Sequence, residues 1–197
     1  MKKPLDVKAL AIAALFAAIT AILAQIAIPL PFTPIPISFG LVAVHMTGVL
    51  LRPRYAVAAQ LCYLLMGLIG LPVFAGFHGG LGALLGPTGG YLMAYPFMAG
   101  LLSVALNGRG KRNDNHQKPR LMGKAVVFMC FAQIILYLLG SAWWSFTTGS
   151  SLASAVALTV YPFIPLDSLK IVFCAIAAIP MRSRLRSALP GGSPTQR

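Results

Sequence analysis

Long apolar runs, separated by short links that are basic or rich in proline and glycine, organise this chain of 197 residues. About 20 apolar residues in helical conformation cross a hydrocarbon core of about 30 Å. Six runs approach that length: Ala9 to Ile28, Ile37 to Leu51, Tyr55 to Val73, Gly89 to Leu106, Leu121 to Phe146 and Leu158 to Ile179. The second is short and carries His45, the third carries Gln60 and Gly67, and the sixth is broken near its start by Pro162 and Pro165. Lipid offers no partner to a free backbone amide, so all six are predicted as helices rather than open strands. The pattern predicts an all-α integral membrane protein with six transmembrane helices in a single domain over residues 1–189. A polar tail over residues 190–197 is expected to be disordered. The first run is longer than the apolar part of a cleaved leader and lacks a small-x-small cleavage site, so it is expected to remain in the mature chain.

Composition agrees with this reading and removes one alternative. With 58% hydrophobic and 10% charged residues and a mean hydropathy of +0.81, the chain has too little polar surface to cover a water-soluble globule. A net charge of +13 would suggest nucleic acid in a soluble protein. Here the basic residues lie at the ends of apolar runs, where they report topology instead. Lys2, Lys3 and Lys8 precede the first run, and Arg52 and Arg54 join the second to the third. Arg109, Lys111, Arg112, Lys118, Arg120 and Lys124 fill the link before the fifth, and Arg182, Arg184, Arg186 and Arg197 follow the sixth. The links after runs one, three and five hold no Lys or Arg. Both termini are therefore expected to be cytoplasmic, in a multi-pass protein of the bacterial cytoplasmic membrane.

Lys170 alone among the sixteen basic residues breaks that pattern, and it lies three residues after Asp167. The three acidic residues are Asp6, Asp114 and Asp167, of which only Asp167 falls inside an apolar run. An ionisable group in a membrane span is costly and is normally kept for function. Pro165 suits the first turn of a helix, where Asp167 would meet the favourable end of the dipole and Lys170 would project from the same face. Either the pair neutralises itself and pins the helix start, or it forms the polar part of a mostly apolar pocket. The segments Pro31 to Ser38 and Phe74 to Tyr91 are expected as bent backbone at the same external end, because proline lacks a donor and glycine permits close approach. Such backbone is tolerated at membrane depth only where it is buried in protein or lines a cavity, which implies a pocket opening outward.

Other constellations say less. No G-x-x-x-x-G-K-[ST] motif is present, so the glycine-rich segment is not a nucleotide cradle. No His, Cys and carboxylate cluster points to a metal, and a lone intramembrane carboxylate cannot supply paired acid–base catalysis, so an enzyme is not expected. Trp143 and Trp144 fit an interfacial belt or a pocket wall. Ala9, Ala13, Ala17 and Ala21 recur at i+4, with Ala14 and Ala18 beside them. A small-residue face of this kind serves either internal packing or docking to another membrane protein.

Four stretches together resemble the BioY family, the biotin-binding S components of bacterial energy-coupling-factor transporters. They are Pro31-Phe32-Thr33-Pro34-Ile35-Pro36-Ile37-Ser38, Gly70-Leu71-Pro72-Val73-Phe74-Ala75-Gly76, Gly80-Leu81-Gly82 through Gly86-Pro87-Thr88-Gly89-Gly90-Tyr91, and Pro162-Phe163-Ile164-Pro165 with Asp167 and Lys170. The resemblance covers nearly the whole chain. It implies a six-helix S-component fold that captures biotin from outside as a transported ligand, with no cofactor. It also implies partners: a transmembrane T component, docked on the alanine face of the first helix, and two cytoplasmic ATPase subunits. Asp167 and Lys170 match the family's D-x-x-K, and Thr88, Gly89, Gly90 and Tyr91 its TGGY. The resemblance thus places Asp167 and the backbone near Thr88 to Gly90 at the ligand's polar head, with Phe74 and Tyr91 over its ring. Lys170 would pair with Asp167 or contact the ligand directly. Family members often read Q-T after the proline-rich link, where this chain has Gly40-Leu41, so a polar contact from the second helix would fall to Ser38 or His45. An S component for a different vitamin, or a membrane interaction protein without a ligand, would share most of these features.

Overall fold

A computed structural model describes residues 7–31, 33–107 and 118–188. In chain order the elements are α1 (Val7–Gln25), β1 (Ala27–Leu30), β2 (Thr33–Ser38), α2 (Gly40–Leu50), α3 (Pro53–Leu68), α4 (Leu81–Leu85), α5 (Gly89–Asn107), α6 (Lys118–Thr148), α7 (Leu152–Thr159) and α8 (Ile164–Ala188). Each predicted apolar run falls on one of α1, α2, α3, α5, α6 and α8. Those helices pack in the cyclic order α1, α3, α5, α6, α8, α2 and back to α1, with α2 also crossing onto α5.

The central position of α2 explains its unusual sequence. All of its residues except Met46 are buried, including His45. A helix that is apolar on every side belongs in the middle of a bundle. Among the described residues, four helical segments, Val7–Gln25, Gly89–Asn107, Arg120–Thr148 and Ile164–Arg182, are long and apolar enough to cross a bilayer. With 11 residues in α2 and 16 in α3, these two helices extend only about 16 and 24 Å. Outward positions such as Phe97, Leu138, Phe173 and Ile176 are more than half exposed, which suits lipid rather than water.

Several boundaries differ from the sequence expectation. The first run stops being helical at Gln25, and the proline-rich link that follows is an antiparallel hairpin, β1 with β2, pairing Ala27 with Ser38 and Leu30 with Thr33. Alternating prolines leave every second residue able to pair, so the segment is strand as well as bend. Leu158 belongs to α7, a short helix whose start is capped by the Ser151 hydroxyl accepting from the Ser154 amide. Pro162 lies in the turn that follows, and α8 begins at Ile164 with Asp167 in its first turn. It then continues through Pro180 to Ala188, beyond the predicted end at Ile179. The predicted tail over residues 190–197 lies outside the described residues.

Polar groups inside the bundle are tied across helices. Gln60 of α3 donates to the Thr20 hydroxyl of α1 (3.3 Å) and to the Thr47 hydroxyl of α2 (3.1 Å). At the end of the bundle away from the hairpin, Arg182 is 2% exposed and donates to the carbonyls of Val49 (2.9 Å) and Leu106 (2.7 Å). These carbonyls belong to the last turns of α2 and α5, where helices have unsatisfied acceptors and a negative dipole end.

Candidate functional site

At the hairpin end the elements line a half-open cavity of about 620 Å³. One wall is the β1–β2 hairpin, including Thr33 and Ser38. A second is the bend Phe74-Ala75-Gly76 with His78, and a third runs from Gly82 through Pro87 and Thr88 into the first turns of α5. Tyr63, Phe74 and Tyr95 form an aromatic wall: Phe74 stands edge-on to Tyr63 at 5.5 Å, and Tyr63 stacks on Tyr95 at 6.2 Å. Phe74 reaches this place because Gly67 of α3 has no side chain; a Cβ there would collide with the Phe74 ring. Among the described residues that line the cavity, none is an Asp, Glu, Lys or Arg.

Each wall is fastened to a helix by polar side chains. Lys170 of α8 donates to the Ser38 carbonyl at 2.9 Å and so holds the hairpin. Trp143 of α6 donates from its indole nitrogen to the Gly86 carbonyl at 2.9 Å, ahead of α5. Gln25, the last residue of α1, bonds to the bend around Phe74.

The Asp167–Lys170 pair lies behind Ser38 rather than on the cavity wall. The residues are 4% and 8% exposed, with the Lys170 ammonium 2.9 Å from Asp167 Oδ1. Asp167 Oδ2 accepts from Gln133 Nε2 at 2.7 Å and from the Tyr137 hydroxyl at 2.8 Å, both on α6. The carboxylate is thus satisfied by three donors without a ligand, which offsets the cost of burying it. Lys170 uses two of its three protons on Asp167 and Ser38, and the Phe39 ring lies 6.0 Å from its nitrogen. The buried His45 ring lies beside the backbone of Leu41 and Met129, and the Gln133 amide beside the Tyr137 hydroxyl.

Of the other predicted residues, Phe74, Thr88 and Tyr91 line the cavity. The Tyr91 hydroxyl is committed to Thr159 of α7, donating at 2.6 Å. Gly89 and Gly90 are buried and do not line the cavity. Gly90 instead lets α5 approach Trp143, since a Cβ there would meet that side chain and the Leu139 carbonyl. Trp144 is 6% exposed and Trp143 half-buried, so an interfacial belt does not describe the pair; neither lines the cavity, though Trp143 supports its wall. On α1, Ala9, Ala13 and Ala17 are buried at 5%, 2% and 0% and Ala21 is half-buried, which corrects their expected place on an outer docking face. They pack internally on α2 and α3, while Ala11, Ala14 and Ala18 point outward. Sequence reasoning missed Tyr63, Tyr95, Gln133, Tyr137 and Gln25. Their one signal was a polar atom inside or at the edge of an apolar run, which in lipid needs a partner.

A half-open, largely apolar cavity beside a buried ion pair, in a bundle with several membrane-length helices, defines a multi-pass membrane protein built to hold a small ligand. The chain belongs to the BioY family, whose sequence model matches residues 1–187. A protein of Pyrococcus horikoshii named "Probable biotin transporter BioY" is 36% identical over 174 residues, covering 87% of this chain and 94% of its own. The "Biotin transporter BioY2" of Lactococcus lactis is 32% identical, covering 85% of this chain and 86% of its own. For the "Biotin transporter BioY" of Thermotoga maritima the values are 31%, 86% and 93%. In structure the chain is similar to the S-component for biotin from an ECF-type ABC transporter, with a TM-score of 0.74 and 28% identity, covering 93% of this chain and 95% of the other.

Proposed function

We propose that this protein is the substrate-specific subunit of an energy-coupling-factor transporter and captures biotin in the cavity at the hairpin end. The observation that carries this reading is the cavity itself, in a chain related along most of its length to proteins named as biotin transporters. Its volume of about 620 Å³ suits one small molecule. The aromatic wall of Tyr63, Phe74 and Tyr95 suits an apolar bicyclic thioether and its hydrocarbon chain. The ureido head brings two N–H donors, which Asp167 accepts once the hairpin yields at Ser38, while the remaining Lys170 proton meets a ligand oxygen. Thr88 and Tyr91 border the same space, and Gly89 and Gly90 set the height of the α5 start.

In this reading both termini lie in the cytoplasm of a bacterial cell and the cavity opens on the outer side of its cytoplasmic membrane, which the positions of the basic links support. The short α2 and α3 then complete six spans inside the bundle. Energy comes from partners, a transmembrane T component and two cytoplasmic ATPases. The T component docks on the outward alanines of α1, Ala14 and Ala18, where small side chains let a second helix approach.

Titration of the purified protein with biotin tests this directly. Saturable binding is expected, with stabilisation of about 2.7 kcal/mol at a free concentration 100 times the dissociation constant. Asp167→Asn and Lys170→Ala are expected to weaken binding. A melting temperature indifferent to biotin, or shifted by another vitamin instead, overturns the assignment.

A further inference from the structure

The bend between α3 and α4 forms a cavity wall, braced from within by the Phe74 ring over Gly67 and by the His78 Nδ1 contact with the Ala75 carbonyl at 2.9 Å, but its sharpest point lies outside these braces. Gly76 and Phe77 follow one another at φ of 73° and 58°, in the left-handed region. Glycine adopts that conformation readily, whereas a bulky aromatic residue does so only when its surroundings impose it. The Phe77 side chain does not impose it, being 71% exposed. The constraint is on the backbone. The Phe77 amide donates to Gln25 Oε1 at 2.9 Å. Gln25 Nε2 in turn lies within donating distance of the carbonyls of Pro72 (3.3 Å), Phe74 (3.2 Å) and Ala21 (3.2 Å). One primary amide thus reads the bend at three points, donating to two carbonyls and accepting from the strained amide. Between those points the bend closes on itself, with the Phe74 amide donating to the His78 carbonyl at 2.9 Å. Phe74, Ala75, Gly76 and His78 all line the cavity, while Gln25 does not.

We propose that Gln25 is a positioning residue for ligand capture: its amide fixes the Pro72–His78 bend against the end of α1 and thereby holds this cavity wall closed on a bound ligand. The proposal rests on the biotin reading above for the identity of the ligand. Among the described residues, the hydrogen bonds between this bend and α1 are those of Gln25, so removing the amide loosens that tie while the Phe74 ring stays seated over Gly67. A wall that opens more often lets ligand leave sooner, so the effect falls on dissociation more than on association.

Two substitutions separate the parts. Gln25→Met keeps length and removes every hydrogen bond. Gln25→Glu keeps an acceptor for Phe77 but sets a carboxylate oxygen against the Pro72 and Phe74 carbonyls. Hydrogen–deuterium exchange of the ligand-free full-length protein is the first measurement, because it needs no ligand. Exchange at residues 72–78 is expected to quicken about tenfold in Gln25→Met, with the Phe77 amide affected less in Gln25→Glu. Biotin titration and chase are the second, with the dissociation rate expected to rise about tenfold in Gln25→Met and the association rate to change less than twofold. Melting of the ligand-free variants is expected to stay close to the unsubstituted protein. Unchanged exchange overturns the proposal, and so does faster exchange with an unaltered dissociation rate. Loss of the folded state in both variants also overturns it, by making Gln25 a residue of global stability. Failure of the unsubstituted protein to bind biotin is read separately, and it overturns the ligand assignment together with the capture role, leaving the exchange result to report on the bend alone.

Discussion

Asp167 shows how a carboxylate survives inside an apolar bundle. Lys170 satisfies one oxygen, and Gln133 and Tyr137 the other. Removing one partner of a buried pair leaves the other charge uncompensated, which costs about 3–5 kcal/mol, whereas removing both charges is far cheaper. Lys170→Met is therefore expected to lower the melting temperature of the ligand-free protein sharply, and Lys170→Met combined with Asp167→Asn to recover more than half of the loss. A double variant no more stable than the single one contradicts the coupling. At this scale the pair was legible because charge in an apolar run is rare. Gln133 and Tyr137 were not, because an isolated glutamine or tyrosine in such a run has many possible partners. Gly89 and Gly90 stood out in the sequence for a ligand role, yet Gly90 admits Trp143. The sequence alone does not say whether a glycine makes room for a ligand or for a neighbouring helix.

Helix termini are the weak points of α2 and α5, and Arg182 joins them. Its guanidinium forks between the Val49 and Leu106 carbonyls and also reaches Asn107 Oδ1 at 3.2 Å. Arg182→Met is expected to destabilise the ligand-free protein by about 3 kcal/mol, since hydrogen bonds to charged groups are worth roughly 1.5–3 kcal/mol each. Arg182→Lys is expected to restore only part of this, because a compact ammonium cannot span the carbonyls of two helices as a planar fork does. Thermal melting of both variants checks the order, and equal stability of the two contradicts the fork. The basic cluster after the sixth run predicted this residue as a topology signal. Its burial was not visible there, because whether an arginine faces water or a neighbouring helix depends on how α8 lies against α2 and α5. The hairpin was hidden for a similar reason: prolines mark a break in helix without saying which other segment the freed amides will meet.

Across the whole molecule, orientation is the property that proposed function most depends on. Leu152→Cys at the start of α7 is expected to react with a membrane-impermeant maleimide added to intact cells, and Arg120→Cys near the start of α6 only after permeabilisation. The reverse pattern would place the cavity on the cytoplasmic side. Both positions are exposed and lie at opposite ends of the fifth run.

The order of residues by itself determined that this chain has membrane-length helices, where most of the six runs lie, and that Asp167 and Lys170 are exceptional. These are local properties: transfer of a segment into lipid depends on the composition of that segment. Tertiary structure decided which polar atoms meet. It set Lys170 on Ser38, 132 residues away, and Gln25 on Phe77, 52 residues away. It turned Ala9, Ala13 and Ala17 inward and placed the ion pair behind the cavity wall instead of in it. The physical reason is that a hydrogen bond inside an apolar bundle is made only where packing brings donor and acceptor within about 3 Å, and packing is a property of all the helices together.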